Sequence, residues 1–334
     1  MTELLSLGSD ALQDIISDLG GKPFMGAQLS QWLSKGVPFE EMTNLPKPLR
    51  ASLRQRFSEG FADIVEKHEA ADGTVKLLLS MSGGGMVECV IMRYKFGNTL
   101  CVSTQVGCRM GCVFCASGRE GLVRSLTAGE MRSEFLAAQR FGEISNVVLM
   151  GSGEPLDNYD NVIGFIRALG ELHGVGMRHI SLSTCGLVPG IERLTAEGLP
   201  VTLCISLHSA IDEKRRGIIP AAAAFSVKRV LSAAHAYFQK TGRRIIMEYT
   251  LIRGFNDGPE DIDALVHALH GMTCHINVIP LNEAAGGLQP PLAGQAKAFA
   301  AALEKRGLSA TVRRTLGGDI EGACGQLKLK REKR

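Results

Sequence analysis

The sequence predicts an α/β fold, with parallel strands covered by helices and a smaller helical part in front of them. Three observations predict it. From Val87 onward, short β-branched runs alternate with longer amphipathic stretches in about six β-then-α units, the pattern of parallel strands joined by helices. Before about residue 80 the spacing is helical, as at Leu29, Trp32 and Leu33. And 334 residues, 45% hydrophobic and 21% charged, suffice for one large domain plus a small one.

The elements follow in order. NLPKPLRASLRQRF reads as a turn with two prolines leading into a basic helix, and EKHEAADGTVKLLLSMSGGGM as a strand and a glycine-rich turn. VECVIM (87–92) and TLCVS (99–103) are strand-like. Thr127 and Glu130 form a capping-box signature that opens the helix TAGEMRSEFLAAQRFG. Strands ISNVVLM, HISLST, VTLCIS, RRIIMEYTLI, HINVIP and SATVRRT then alternate with helices around YDNVIGFIRALGELHG, PGIERLTAEG, SVKRVLSAAHAYFQK, PEDIDALVHALHG and AKAFAAALEKRG. The division falls near residue 85, giving a helical accessory domain over 1–85 and a core with a C-terminal extension over 86–334. An open doubly wound sheet and a closed or partial barrel both fit this series. In each the site lies at the C-terminal ends of the strands.

Composition excludes several classes. No apolar run approaches the roughly 20 residues that span a bilayer, so no membrane partner is expected. The N-terminus MTELLSLGSDALQDIISDLGG is acidic and lacks the basic-then-apolar layout of a signal peptide. A cytoplasmic protein is expected, and structural disulfides are rare there. The nine cysteines therefore read as core residues, ligands or catalysts. A net charge of +3 neither demands nor excludes nucleic acid. The basic clusters, namely the tail LKLKREKR, KRR at 214–216, Arg243/Arg244 and Arg313/Arg314, each read as solvated surface.

TLCVSTQVGCRMGCVFCASG concentrates Cys101, Cys108, Cys112 and Cys115. The last three have the spacing of one helix face, but Gly107 and Gly111 interrupt the stretch and glycine is a poor helix-interior residue. A loop after the first parallel strand fits better. Structural zinc wants four ligands, often as paired CxxC knuckles. Only one CxxC is present, so zinc would need a distant ligand. Three thiolates on a loop suit an iron–sulfur cluster, and a four-iron cluster so held leaves one iron free for a small molecule.

CxxxCxxC on such a loop resembles the radical S-adenosylmethionine (SAM) enzymes, and VVLMGSGEPLDN (147–158) is similar to their glycine-rich segment after the second strand. TLCVSTQVGC, MGSGEPL, SLSTCG, ISLH, IPLN and DIEGACGQL, in this order, together resemble the RlmN/Cfr adenine methyltransferases over essentially the whole chain. Those enzymes methylate one adenosine of large-subunit ribosomal RNA, at C2 in RlmN-type members and C8 in Cfr-type members. Some RlmN members also methylate a tRNA adenosine.

The resemblance implies a partial (β/α)6 radical SAM barrel with a small helical N-terminal accessory domain. It implies a [4Fe–4S] cluster on Cys108, Cys112 and Cys115, and SAM contacts at Gly153, Glu154, Ser183, Ser206, Leu207, His208 and Asn282. It also implies two SAM per turnover, an electron donor such as flavodoxin or ferredoxin, and 23S rRNA, with tRNA in addition, as substrate of a monomer. Adenine C2 is electron-poor and does not attack the SAM methyl, so a radical route is needed. In the implied scheme Cys324 carries the methyl, Glu88 takes the ring proton, and Cys101 releases the product by forming a transient disulfide with Cys324. RNA contacts are expected on the basic N-terminal segment and the cationic tail.

This sequence departs from the family's pattern at Ser152, in the alanine-rich IIPAAAAFS, and in NEAAGGLQPPLAGQAKAF, which offers few polar groups to RNA. Two other readings remain: C8 methylation, and a non-catalytic RNA- or metal-binding module. Binding alone requires none of Cys101, Cys324 and Glu88, so their joint presence favours the enzyme.

Overall fold

The computed structural model describes residues 1–282, 287–323 and 325–327. The N-terminal part opens with β1 (Thr2–Glu3), followed by α1 (Ser9–Asp18), α2 (Phe24–Ser34) and α3 (Lys47–Arg56), and returns in β2 (Phe57–Ser58), which pairs parallel with β1. In α2 Leu29 and Leu33 are fully buried and Trp32 packs beside them. With Leu4, Ile16, Phe39 and Met42 they form a core separate from that of the sheet. Pro48 sits in the first turn of α3, where its missing N–H costs nothing.

The helices of this part end at Arg56. The chain then runs as an antiparallel meander, β3 (Asp63–Glu69), β4 (Val75–Ser80), β5 (Met86–Tyr94) and β6 (Gly97–Cys101), so the sheet continues across residue 85. A hairpin of β7 (Gln105–Gly107) and β8 (Leu122–Ser125) brackets the cysteine loop. The alternating series follows: α4 (Ala128–Gln139), β9 (Ile144–Leu149), α5 (Tyr159–His173), β10 (Ile180–Thr184), α6 (Val188–Glu197) and β11 (Thr202–Ser206). Next come α7 (Asp212–Ile218), α8 (Val227–Thr241), β12 (Ile245–Leu251), α9 (Pro259–Leu269), β13 (Cys274–Pro280), α10 (Gln295–Lys305) and β14 (Ala310–Val312).

The main sheet has ten strands in the order β14-β13-β12-β11-β10-β9-β6-β5-β4-β3. From β6 through β14 the neighbours are parallel; β3 to β6 are antiparallel. Strands β6 and β9–β13 with their helices make a partial (β/α)6 barrel, open because β14 and β3 stand at opposite edges. Local signals explain the helix starts. The Thr127 hydroxyl accepts from the Glu130 N–H while the Glu130 carboxylate accepts from the Thr127 N–H, and the Ser226 hydroxyl accepts from Arg229 N–H.

After β14 the chain forms a strap back toward the other edge of the sheet. Gly317 N–H donates to Asp72 Oδ2 (3.0 Å), Ala71 N–H to Asp319 Oδ2 (3.1 Å), and Lys76 Nζ to the Glu321 carbonyl (3.3 Å). It continues to the cysteine loop, where Ala116 N–H donates to the Gly325 carbonyl and the Ser117 hydroxyl to the Leu327 carbonyl, each at 2.8 Å. Among the described residues no helix is long and apolar enough to cross a membrane.

Candidate active site

The cysteine loop is held open by its hairpin. Gly107, the last residue of β7, has φ +77, and a Cβ there would stand 2.1 Å from the Gly121 carbonyl oxygen, so only glycine fits. That oxygen accepts the Cys108 N–H at 3.0 Å. Further on, Val113 N–H donates to the Ile218 carbonyl at the end of α7, and Cys115 N–H to the Cys112 carbonyl. Cys108 is buried, Cys112 and Cys115 are half-buried, and all three line one cavity with about 1120 Å³ of empty space including its mouth.

Burial, in a setting that includes Met110, Ile218, Ile219 and Leu281, pushes the Cys108 thiol up to about 12 and raises Cys112 as well. A bound cation reverses that preference, because thiolates are the ligating form. Among the described residues no three His, Cys, Asp or Glu are gathered as for a single metal ion. The three thiols instead lie along a cavity wall. Three soft donors on one loop, with room beside them, fit a polynuclear iron–sulfur cluster with one open iron.

Opposite the loop, the ends of β9, β10 and β11 supply the polar wall. Gly153 has φ +107, and a Cβ there would meet Thr104 Oγ1 at 2.6 Å. Glu154 follows; its Oε1 accepts from Leu156 N–H (3.0 Å) and its Oε2 from Cys185 N–H (2.8 Å), and burial raises its pKa. Ser183 and Ser206 bring their hydroxyls within 3.3 Å across adjacent strands. Leu207 is buried in the core and does not line the cavity; its N–H donates to the Glu248 carbonyl.

His208 lines the cavity with left-handed backbone (φ 55), an uncommon state for a residue with a Cβ and one that collects at functional sites. Its Nδ1 accepts from Thr250 N–H (2.9 Å), its carbonyl accepts from Asn256 Nδ2 (2.7 Å), and its ring meets Phe114 edge-on at 4.8 Å. Burial, then the charge of Arg215, pull its pKa down to about 3. The ring is therefore neutral, with Nε2 as the donor. Asn282 completes this wall.

Cys101, at the end of β6, lines a second cavity that shares Met150, Asn282, Arg313 and Leu327 with the first. Gly322 and Ala323 of the strap line it too. Cys324 lies outside the described residues. Glu88 is buried and lines neither cavity; its carboxylate stands 3.3 Å from Lys76 Nζ, on the same face of β5 as Val90, the cross-strand partner of Cys101. The structure thus brings together the three loop cysteines, Gly153, Glu154, Ser183, Ser206, His208 and Asn282, and sets Cys101 in the adjoining space.

Sequence reasoning missed two cavity-lining charges, Glu248 and Arg313, and a third, Arg215, buried behind the wall. Glu248 lines the main cavity, where its Oε1 accepts from Asn277 Nδ2 at 3.2 Å. Arg313 lies 3.7 Å from Glu248 Oε2 and lines both cavities, so it is not the solvated charge its RR pair suggests. Arg215 is 1% exposed. Within KRR only the flanking residues behave as surface charges, Lys214 pairing with Asp261 and Arg216 with Glu213. The signal was spacing: Ile211, Arg215 and Ile218 fall at i, i+4 and i+7, the inward face of α7.

Comparison with known proteins agrees with this architecture. Residues 102–268 match the model of the radical SAM superfamily, and residues 2–58 that of the ribosomal RNA large subunit methyltransferase N-terminal domain. A probable dual-specificity RNA methyltransferase RlmN from Clostridium perfringens is 47% identical, covering 98% of this chain and 97% of that protein. One from Symbiobacterium thermophilum is 46% identical over 99% of this chain and 92% of its own length. The crystal structure of a radical SAM methyltransferase from Sphaerobacter thermophilus superimposes with a TM-score of 0.94 at 38% identity, covering 98% of this chain and 99% of that one. The chain belongs to the radical SAM superfamily and, within it, to the RlmN methyltransferases, whose members use a [4Fe–4S] cluster and SAM.

Proposed function

We propose that this protein methylates C2 of an adenosine in 23S rRNA, and an adenosine of tRNA as well, in the cytoplasm and as a monomer, drawing electrons from a flavodoxin or ferredoxin. The observation that carries the reading is the adjacency of two cavities, one lined by the three loop cysteines with Glu154, Ser183, Ser206 and His208, the other by Cys101 and the strap residues next to position 324. The RNA specificities in the names of the relatives support the substrate class.

In this reading Cys108, Cys112 and Cys115 would hold the cluster, which would leave one iron free for SAM. Glu154 accepts from the SAM ammonium, Ser183, Ser206 and Asn282 bind its polar edges, His208 donates through Nε2, and Gly153 and the Leu207 backbone keep this wall close. Two SAM are used per turnover. As thiolate, Cys324 takes the methyl of one by displacement at carbon. Bound at the loop, the cluster with the other SAM supplies one-electron chemistry, removal of a hydrogen atom from that methyl. Cys324 would then deliver the carbon to adenine C2, Glu88 would receive the ring proton, and the unpaired electron of the adduct would return to the oxidised cluster. Cys101, as thiolate, attacks the Cys324 sulfur; the methylene carbon it expels takes a proton back from Glu88 and becomes the methyl of the freed base, and a Cys101–Cys324 disulfide is left for a thiol reductant to reset. Lys76 balances the buried Glu88 charge before the proton arrives.

The test is mass spectrometry of nucleosides from RNA incubated with reconstituted enzyme, SAM and reductant, beside Cys324→Ala. 2-Methyladenosine from the wild type and none from the variant is expected. 8-Methyladenosine would replace the C2 assignment, and no methylated adenosine despite SAM cleavage would overturn the substrate.

A further inference from the structure

We infer that Arg215 is the positioning residue of the SAM wall, a buried cation that holds the two strand ends facing the cysteine loop in one arrangement. Its Nη2 donates to the Cys185 carbonyl (2.5 Å) and to the Ser206 carbonyl (3.4 Å), and its Nε to the Leu207 carbonyl (3.1 Å). These oxygens lie at or just after the C-terminal ends of β10 and β11, where Ser183 and His208 also stand. The guanidinium is 1% exposed and among the largest fully buried side chains, and no carboxylate forms an ion pair with it among the described residues. An enclosed charge resting on carbonyl oxygens is costly unless geometry is good, and the fixed planar fork of arginine spans three separate oxygens with little loss of side-chain freedom.

The network runs on to the site itself. Cys185 is gripped on both sides: its N–H donates to Glu154 Oε2 at 2.8 Å and its carbonyl accepts from Arg215. The carboxylate and the guanidinium thus hold two successive peptide units, one on each side of Cys185, which fixes Glu154 Oε2 while the residue lines the cavity. Gly186, next in the chain, has no room for more, since a Cβ there would lie 3.2 Å from Arg215 Nη2 and 3.0 Å from Val230. Arg215 therefore acts on SAM through Glu154, Ser206 and His208, without touching it. Outer partners of this kind, when removed, typically weaken a site by about 10- to 100-fold.

The inference rests on the proposed SAM-binding role of that wall, and the experiment separates the two. SAM affinity is measured by equilibrium dialysis on anaerobically reconstituted wild type, Arg215→Lys and Arg215→Gln, each normalised to iron per chain. Amide hydrogen exchange of the segments around Cys185 and Leu207 is followed in the cluster-free proteins. The expected result is SAM affinity lowered at least about tenfold in Arg215→Gln, with partial rescue in Arg215→Lys, which keeps charge but not the fork. Faster exchange confined to the two segments, at unchanged iron content, is expected beside it. Affinity per cluster within twofold of wild type in both variants overturns the inference. So does a loss that merely tracks missing iron. Absence of SAM binding by the wild type would instead strike the reading of the wall.

Discussion

Gly107→Ala should empty the cysteine loop of iron while leaving the protein folded. The new Cβ would lie 2.1 Å from the Gly121 carbonyl oxygen and must retreat by about 1 Å to reach a tolerated contact. A left-handed backbone at a residue with a Cβ costs about 1–2 kcal/mol. Losing the Cys108 N–H bond to the same oxygen adds about 0.5–1.5 kcal/mol. The sum, about 2–3 kcal/mol, is below the 5–15 kcal/mol typical of a folded domain. A displacement of about 1 Å at Cys108 is nonetheless enough to spoil a ligand constellation. Gly121→Ala is the internal control, because Gly121 also has a left-handed φ (+73) but nothing lies within 4 Å of its Cβ position. It carries the backbone strain alone. Urea unfolding of the cluster-free chains and iron per chain after reconstitution measure both quantities. Gly107→Ala should lose most of its iron and about 1 kcal/mol more stability than Gly121→Ala, the share assigned to the lost hydrogen bond. Equal iron and equal stability in the two variants would refute the steric reasoning.

Glu154→Gln keeps the shape but removes the charge proposed to face SAM, and SAM affinity by equilibrium dialysis should fall at least about tenfold, the worth of a charged hydrogen bond. Lys76→Met removes the ammonium 3.3 Å from the buried Glu88 carboxylate and should destabilise by about 3–5 kcal/mol in denaturant unfolding, whereas the double variant Lys76→Met/Glu88→Gln should recover most of it. His208 has its folded pKa lowered to about 3 from 6.5 by burial and then by Arg215, so between those values the unfolded chain binds a proton that the folded chain does not. Its contribution is complete above the ordinary histidine range and is lost as pH falls toward about 3, at up to about 1.4 kcal/mol per pH unit. His208→Asn tolerates the left-handed backbone and offers Oδ1 to the Thr250 N–H; it should flatten the pH dependence of the cluster-free chain's stability by up to that slope.

Periodicity made the barrel legible. VTLCIS and RRIIMEYTLI are β-branched, flanked by turn residues, and appear as β11 and β12 almost residue for residue, and the Thr127–Glu130 capping box is fully formed. Periodicity could not say whether the strands close. That depends on which edges meet, and here the antiparallel meander β3–β5 extends the open sheet. The loop cysteines and the polar strand ends were legible because their residue types are chemically distinctive. Arg215 and Arg313 were not, because charge in sequence reads as solvation. Their partners are carbonyls from β10 and β11 and a glutamate on β12, groups that only the fold brings near. The hairpin β7–β8 was hidden for the same reason, since three and four residues hold too little pattern to show a period.

The strap that follows β14 sets the order in which this site comes into being. Its ties to Asp72 and Lys76 span 245 residues of sequence, and its tie to Ser117 spans 210. Contacts so remote along the chain bear the largest loop-closure entropy and form only after the local βα units have given the ends a surface to land on. The strap is seated there by Leu316 and Leu327, buried with Val90 and Met92 in one apolar cluster, as well as by these hydrogen bonds. The adjoining cavities are therefore the last part of the molecule to be enclosed on folding. The space beside Cys101 is thus complete only when both edges of the sheet are in place, because the segment that encloses it starts at one edge and is tied down at the other.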